Sequence, residues 1–168
     1  MYTLTRLGAC AATLSVVITP ATTLEIVKAA AESGTTVALN ADLRRCDFSL
    51  VSTAPPVQHP RLGSGSVLIQ RSGSTAIAEV HLADSASPGT HFDVGLIQEP
   101  RPSSASCGPG DPGTAFTGLD TDGAGNATVT IQDTIRQGTT GVWVIIERGD
   151  PHSQNPAEFY TSAYLAPV

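Results

Sequence analysis

From residue 37 onward, apolar and polar residues alternate in short runs, and turn-forming clusters separate these runs. A period of two predicts β-strands, because successive side chains of a strand point to opposite faces. The separating clusters are rich in Gly, Pro, Ser and Asp, which favour turns. The runs that we predict as strands are residues 46–51, 66–70, 75–83, 91–99, 114–119, 126–133, 141–148 and 159–166.

Seven or eight short strands at this spacing predict an all-β fold, an antiparallel β-sandwich or barrel. No stretch with helical periodicity lies between the predicted strands, so the sequence disfavours a parallel βαβ sheet. A length of 168 residues fits one domain. We assign that domain to residues 32–168.

Two of the predicted strands have clear apolar faces. Their apolar positions are Ala76, Ala78, Val80 and Leu82 in the first strand and Phe92, Val94 and Leu96 in the second. If the two strands form a hairpin with His81 opposite His91, the apolar faces coincide. A slip of one residue would oppose apolar to polar side chains, so burial favours this register.

The same register places Glu79, His81, His91 and Asp93 together on the outward face of the hairpin. Directly opposed residues have Cβ atoms about 5 Å apart, so two imidazoles and a carboxylate could bind one zinc or copper ion. In the alternative interpretation this is an ordinary solvated face, on which His and acidic residues alternate because they contact water.

The segment His91-Phe92-Asp93-Val94 resembles the His-x-His strand of copper-zinc superoxide dismutases, with Asp93 in place of the second His. Only His59 and His152 are left to match the other metal histidines of that family, so the resemblance does not imply its activity. The run 121–126, followed by an alternating strand, is similar to hairpins of bacterial exported immunoglobulin-like domains. That resemblance implies an immunoglobulin-like β-sandwich.

The first residues of the chain have the layout of a secretory signal. Arg6 gives a positive start, and an apolar run follows over positions 7–18. This run is too short for a membrane span, which needs roughly 20 apolar residues. Small residues precede two possible cleavage points, after Ala21 and after Ala31. The sequence therefore predicts a secreted protein, either extracellular or in the cell envelope, with a retained N-terminal helix as the alternative.

The cysteines agree with export. Removal of Cys10 with the signal leaves Cys46 and Cys107, which would pair in an oxidising compartment. The bridge would close a loop of about 60 residues and contribute roughly 4 kcal/mol on the chain-entropy model. Two unpaired, buried thiols are the alternative.

Charge and composition exclude several classes of protein. The chain has 9 basic and 15 acidic residues, and a nucleic-acid binder would need a basic stripe instead. Hydrophobic residues make up 40% of the chain and charged ones 14%. This balance does not fit an acidic disordered segment. The chain also lacks a nucleophile elbow, a zinc-protease motif and a phosphate-binding loop.

These observations predict a secreted, non-enzymatic module that binds a protein or a surface, without a cofactor. We expect exposed Trp143 and Tyr160, together with the long loop 100–113, to form its contacts. Trp143 and Ile145 lie opposite the core face of their strand, which indicates partial cover there. A zinc- or copper-binding exported protein and a structural decoration domain of a particle or envelope are the alternative functions.

Overall fold

The computed structural model describes residues 34–51, 63–152 and 156–168. Within these ranges every regular element is a β-strand. The predictions for residues 1–31, which are the signal peptide, its cleavage points and Cys10, lie outside the described residues. The strands are β1 (Thr35–Asn40), β2 (Ser64–Ser72), β3 (Thr75–Ala83), β4 (His91–Glu99), β5 (Thr114–Asp120), β6 (Asn126–Thr134), β7 (Gly141–Arg148), β8 (Glu158–Ser162) and β9 (Ala166–Pro167).

The strands form one antiparallel sheet in the order β5-β4-β7-β8-β1-β2-β3-β6, and β9 pairs with β7. Only Leu39 and Asn40 of β1 pair with β8, so the sheet divides into two halves. We call them sheet A (β5-β4-β7-β8 with β9) and sheet B (β1-β2-β3-β6). Strands β5 and β6 lie close together but form no ladder in the described part of the chain. The result is a nearly closed, sandwich-like barrel, and the predicted all-β antiparallel class is confirmed.

Alternation along the strands explains the core between the halves. In β3 the even-numbered residues from Ala76 to Leu82 point inward and are buried, while the odd-numbered ones between them are partly or fully exposed. Burial of such apolar side chains is the main favourable term in folding. Sheet B contributes Val37, Val67, Ile69, Val80 and Ile131 to this core, and sheet A contributes Phe92, Val94, Leu96, Val144 and Ile146.

The strand boundaries follow the sequence pattern closely. Predictions 75–83, 91–99 and 141–148 coincide with β3, β4 and β7, whereas the sequence pattern misses β1. The predicted strand 46–51 is wrong, because this segment turns. Phe48 has a φ of 63°, and the Asp47 carboxylate accepts a hydrogen bond from Ser49 N at 3.1 Å. Local bonds of this kind compete with strand formation.

The predicted hairpin with His81 opposite His91 is also wrong. His81 lies opposite Ser66 of β2 and Thr128 of β6, while His91 lies opposite Asp120 of β5. The chain crosses between the two sheets after β3. Alternation specifies which face of a strand is buried, but any strand with a matching apolar face satisfies that requirement.

Two loops cover the outer face of sheet A and are joined by a disulfide. Cys46 and Cys107 have Cα atoms 5.4 Å apart, so the predicted bridge is confirmed. The Phe48 ring packs 5.6 Å from the Trp143 ring, with the Arg44 guanidinium 3.9 Å from the Phe48 centroid. Ile97, Ile145 and Cys107 complete this second apolar cluster.

A buried amide joins sheet A to the end of β6 and to the segment that follows it. Gln98 is fully buried, and its Nε2 donates to Asp133 Oδ2 at 2.6 Å and to the carbonyl of Thr134 at 2.9 Å. Its Oε1 accepts from Arg136 N and Thr139 Oγ1, both at 2.8 Å. All four hydrogen-bonding positions of the amide are therefore occupied, which offsets the cost of burying it.

Removal of the disulfide is expected to loosen the layer over Trp143. The variant Cys46→Ser, Cys107→Ser should lose about 2–4 kcal/mol of unfolding free energy, because the bridge closes a long loop. Trp143 is the only tryptophan, so its emission should shift to the red as water reaches it. Urea unfolding followed by circular dichroism and fluorescence measures both effects. Ser103→Ala, an exposed change in one of the covering loops, is the control. Unchanged stability and emission in the double variant would contradict the expectation.

Candidate functional site

The two sheets differ in how far their outer faces are covered by other parts of the chain. The outer face of sheet A is largely buried along β4 and β7 by the disulfide-linked loops. The outer face of sheet B has no such layer in the described part of the chain. We call the latter the open face, and its outward side chains are Thr36, Ala38, Ser64, Ser66, Leu68, Gln70, Ile77, Glu79, His81, Ala83, Asn126, Thr128, Thr130 and Gln132.

The two aromatic residues predicted as exposed contacts are both buried. Trp143 is 1% exposed, and its Nε1 donates to Glu99 Oε1 at 3.0 Å beneath the loop layer. Tyr160 is 2% exposed and belongs to the core between the sheets. The expectation of exposure is wrong, because a second layer covers the outward side of β7 and the side chain of Tyr160 points inward.

A different aromatic residue borders the open face. Tyr164 is 47% exposed, and its hydroxyl donates to the carbonyl of Thr36 in β1 at 2.9 Å. Leu50 and Leu165 are the other large apolar side chains that are exposed among the described residues. Tyr164 lies in the bend between β8 and β9, inside the range predicted as one continuous strand. The prediction of one continuous strand conceals this exposed aromatic residue, because the chain bends at Tyr164.

The loop 100–113, also predicted as a contact, is held by internal bonds. Arg101 donates to the carbonyl of Ser106 at 3.2 Å, and the Asp111 carboxylate accepts from Gly108 N at 2.7 Å. Thr114 Oγ1 donates to the carbonyl of Gly108 at 2.9 Å. The loop thus serves as cover for sheet A, and a contact role for it stays a prediction.

The four predicted metal ligands lie in two separate pairs. Glu79 and His81 are on β3 in sheet B, whereas His91 and Asp93 are on β4 in sheet A. Among the described residues, no group of three or more His, Cys, Asp or Glu side chains is arranged to hold a metal ion. The geometry therefore gives no support to zinc or copper binding by these four residues.

On sheet A, His91 lies between two carboxylates. Its Nδ1 is 2.7 Å from Asp120 Oδ1, and its Nε2 is 3.7 Å from Asp93 Oδ1. The hydrogen bond with Asp120 raises the pKa of His91 above its ordinary value of 6.5. Glu147 pairs with Asp93 across the strands, and burial raises the pKa of Glu147. This end of sheet A is accordingly acidic and exposed around one imidazole.

On the open face, His81 is held from both sides. Its Nε2 is 3.1 Å from Glu79 Oε1, and its Nδ1 is 3.1 Å from Thr128 Oγ1. The side chains of His81 and Glu79 are 50% and 46% exposed, so water solvates the pair. The two neighbours therefore position the imidazole, and its ring remains in contact with water.

The His81 imidazole and the Thr128 hydroxyl border a shallow groove of about 440 Å³ at one end of the open face. Two cross-strand rows form it, Ser64–Ala83–Asn126 and Ser66–His81–Thr128. Small side chains at Ser64, Ser66 and Ala83 leave the depression between larger neighbours. Sequence reasoning missed this groove, because it depends on β2 and β6 flanking β3, and the predicted hairpin places β4 there instead.

A cluster of titratable side chains is buried inside the protein, next to the groove end of the open face. Tyr160 donates a hydrogen bond to Glu158 Oε1, and Arg148 Nη2 lies 3.3 Å from Glu158 Oε2. Asp84 is fully buried, and its Oδ2 accepts from no N–H or O–H donor in the described part of the chain. Burial, with a smaller contribution from Asp84, raises the pKa of Glu158. A protonated Glu158 can thus supply the hydrogen bond that Asp84 otherwise lacks.

No family model, curated protein or solved structure matches this chain. The described residues include no helix with the length and apolarity needed to cross a membrane. The disulfide is typical of proteins that fold in a non-reducing, extracellular environment.

The buried acid group predicts a specific pH dependence of stability. Because the pKa of Glu158 is raised in the folded state, its contribution is present below the ordinary value of 4.5 and is lost as pH rises through the raised pKa. Glu158→Gln keeps a neutral donor beside Asp84, so the loss of stability as pH rises above 4.5 should become smaller. Urea unfolding over that pH range measures the slope.

Glu79→Gln removes an exposed carboxylate and is the matched control for the pH experiment. Burial also raises the pKa of Glu99 and Glu147, so the slope should decrease in Glu158→Gln without vanishing. An unchanged slope in Glu158→Gln would contradict the assignment of the raised pKa to this residue.

Proposed function

We propose that the protein is an exported, non-enzymatic interaction module that binds its partner through the open face. The observation that carries this proposal is the asymmetry between the sheets. Sheet A is buried on both sides along β4 and β7, whereas the outward side chains of sheet B are left facing solvent, with Tyr164 at the border. Side chains on strands are held more precisely than side chains on loops, so the exposed face of a sheet is suited to recognition.

The disulfide and the signal-like layout of the N-terminal sequence both support export. Disulfides form and persist in oxidising compartments. The Cys46–Cys107 bond holds the cover of Trp143, so it is part of the fold. The positive start, the apolar run 7–18 and the small residues that end at Ala21 and Ala31 agree with secretion.

A binding role is supported over catalysis by the way the titratable groups are placed. Burial raises the pKa of Glu158, but this carboxyl is enclosed within the protein. The imidazoles of His81 and His91 are well solvated. General acid–base catalysis needs the group and the reacting atom within hydrogen-bond reach, inside a site that excludes water.

Export predicts a specific intact mass. Protein recovered from the culture medium or the envelope should begin directly after Ala21 or Ala31, since the signal is removed. It should also lack two hydrogen atoms, because one disulfide forms. Mass spectrometry with and without reduction measures both changes. A full-length mass with free thiols would refute secretion as well as the native disulfide.

Binding through the open face predicts a face-specific effect of added charge. Purified protein should sediment with insoluble envelope material of the producing organism, and Thr130→Arg should weaken this association at least about tenfold, a loss of about 1.4 kcal/mol. Thr130 is exposed on β6 within the open face, so the Arg side chain would obstruct a partner there. Quantifying the bound fraction against protein concentration gives the two affinities.

Ser103→Arg is the matched control for this measurement. Ser103 is an exposed polar residue of the loop that covers sheet A, and the substitution adds the same charge. Its association should equal that of the wild type. The proposal fails if the wild type stays in the supernatant, or if Thr130→Arg and Ser103→Arg bind alike.

A further inference from the structure

We infer that the groove on the open face is a binding site for a neutral oligosaccharide. This inference rests on the proposed function, since it names the ligand class that the open face would recognise. The groove has a volume of about 440 Å³, within the range of about 300–1,000 Å³ that is usual for small-molecule sites. Its lining includes Ser64, Ser66, His81, Ala83, Asn126 and Thr128.

The polar groups of the groove match the hydrogen-bonding character of sugar hydroxyls. A sugar hydroxyl both donates and accepts, and so do the hydroxyls of Ser64, Ser66 and Thr128. The Asn126 amide adds two donors and one acceptor oxygen. Ala83 is exposed among these groups and offers an apolar contact to the C–H face of a sugar ring.

The charge of the groove also favours a neutral ligand. The protein as a whole has a net charge of −6, yet none of the described residues that line the groove is acidic and none is Lys or Arg. Nucleic acids depend on Lys and Arg to neutralise phosphates, so they do not fit this lining. Protein partners are usually anchored by Trp, Tyr or Arg in a central pocket, and the described lining has none of these.

The His81 imidazole is positioned before any ligand arrives. Contacts with Glu79 and Thr128, both at 3.1 Å, hold its ring between β3 and β6. A side chain that is already fixed loses less conformational entropy on binding. The imidazole therefore forms a stable wall beside Ser66, while the open side of the groove remains accessible.

The groove continues into a polar stripe along β6. Asn126, Thr128, Thr130 and Gln132 alternate with inward residues, and all four are uncharged and exposed. Outward positions on one strand are about 7 Å apart, so the stripe presents hydroxyl and amide groups at regular intervals. A linear glycan can follow such a stripe, whereas a compact small molecule would use the groove alone.

Titration with oligosaccharides tests the inference directly. Maltotetraose, cellotetraose and chitotetraose are each added to isotope-labelled protein in large excess, and amide nitrogen and proton chemical shifts are recorded. At least one should shift the amides of Ser66, His81 and Thr128. We expect a dissociation constant of about 1–10 mM, or about −4 kcal/mol near 1 mM, since no aromatic stacking among the described groove residues adds affinity.

Thr128→Val is the diagnostic variant for this titration. It removes the hydroxyl that holds His81 and keeps a β-branched residue that is suited to a strand. Binding should weaken at least about tenfold, a loss of about 1.4 kcal/mol. Thr134→Val makes the same change on the same strand outside the groove, and its affinity should match the wild type. Unperturbed amides elsewhere show that both variants fold.

The outcomes separate this inference from the proposed function. The inference is overturned if none of the three oligosaccharides shifts groove amides, or if Thr128→Val and Thr134→Val bind equally well. In either case, envelope sedimentation that Thr130→Arg weakens would keep the open face as an interaction surface with a different ligand class. If the protein shows neither oligosaccharide-induced shifts of groove amides nor envelope sedimentation, the proposed function is refuted together with the inference.

Discussion

The packing of loops over Trp143 is the interaction that decides which sheet of this protein keeps a solvated outer face. Without it, β4 and β7 would present Ile97, Trp143 and Ile145 to water on the side away from the core. The loops that carry Cys46 and Cys107 bury these side chains, and the disulfide holds the loops together. Sheet A thereby becomes an interior layer, and sheet B is left as the sheet with a solvated outer face.

Buried polar groups restrict which strands and loops can lie next to each other, because each group needs a hydrogen-bond partner. The Gln98 amide has all its hydrogen bonds, and Trp143 Nε1 is satisfied by Glu99. The group of Asp84, Glu158 and Tyr160 is instead buried with a raised Glu158 pKa, which links the stability of the fold to pH. These groups connect strands that are distant in the sequence, so they specify the topology in a way that apolar burial alone does not.

Comparison of prediction and structure shows where sequence reasoning succeeds. The strands β3, β4 and β7 coincide with their predicted ranges, and the apolar face of β3 is buried as expected. Export context and cysteine arithmetic identify the Cys46–Cys107 pair without any geometry. The errors concern neighbours: the predicted partner of His81 is His91, yet Thr128 lies there, and Trp143 is covered by Phe48 although exposure is predicted.

The sequence by itself determined the all-β class, the inward faces of β3 and β4 and the disulfide pair, because period-two alternation and cysteine number are local or countable properties. Tertiary structure alone decided which strands are neighbours, which sheet is covered and where the groove lies. These features depend on contacts between segments far apart in the chain, and many pairings of amphipathic strands bury the same apolar faces. The choice among them is made by the connections, the covering loops and the buried polar groups.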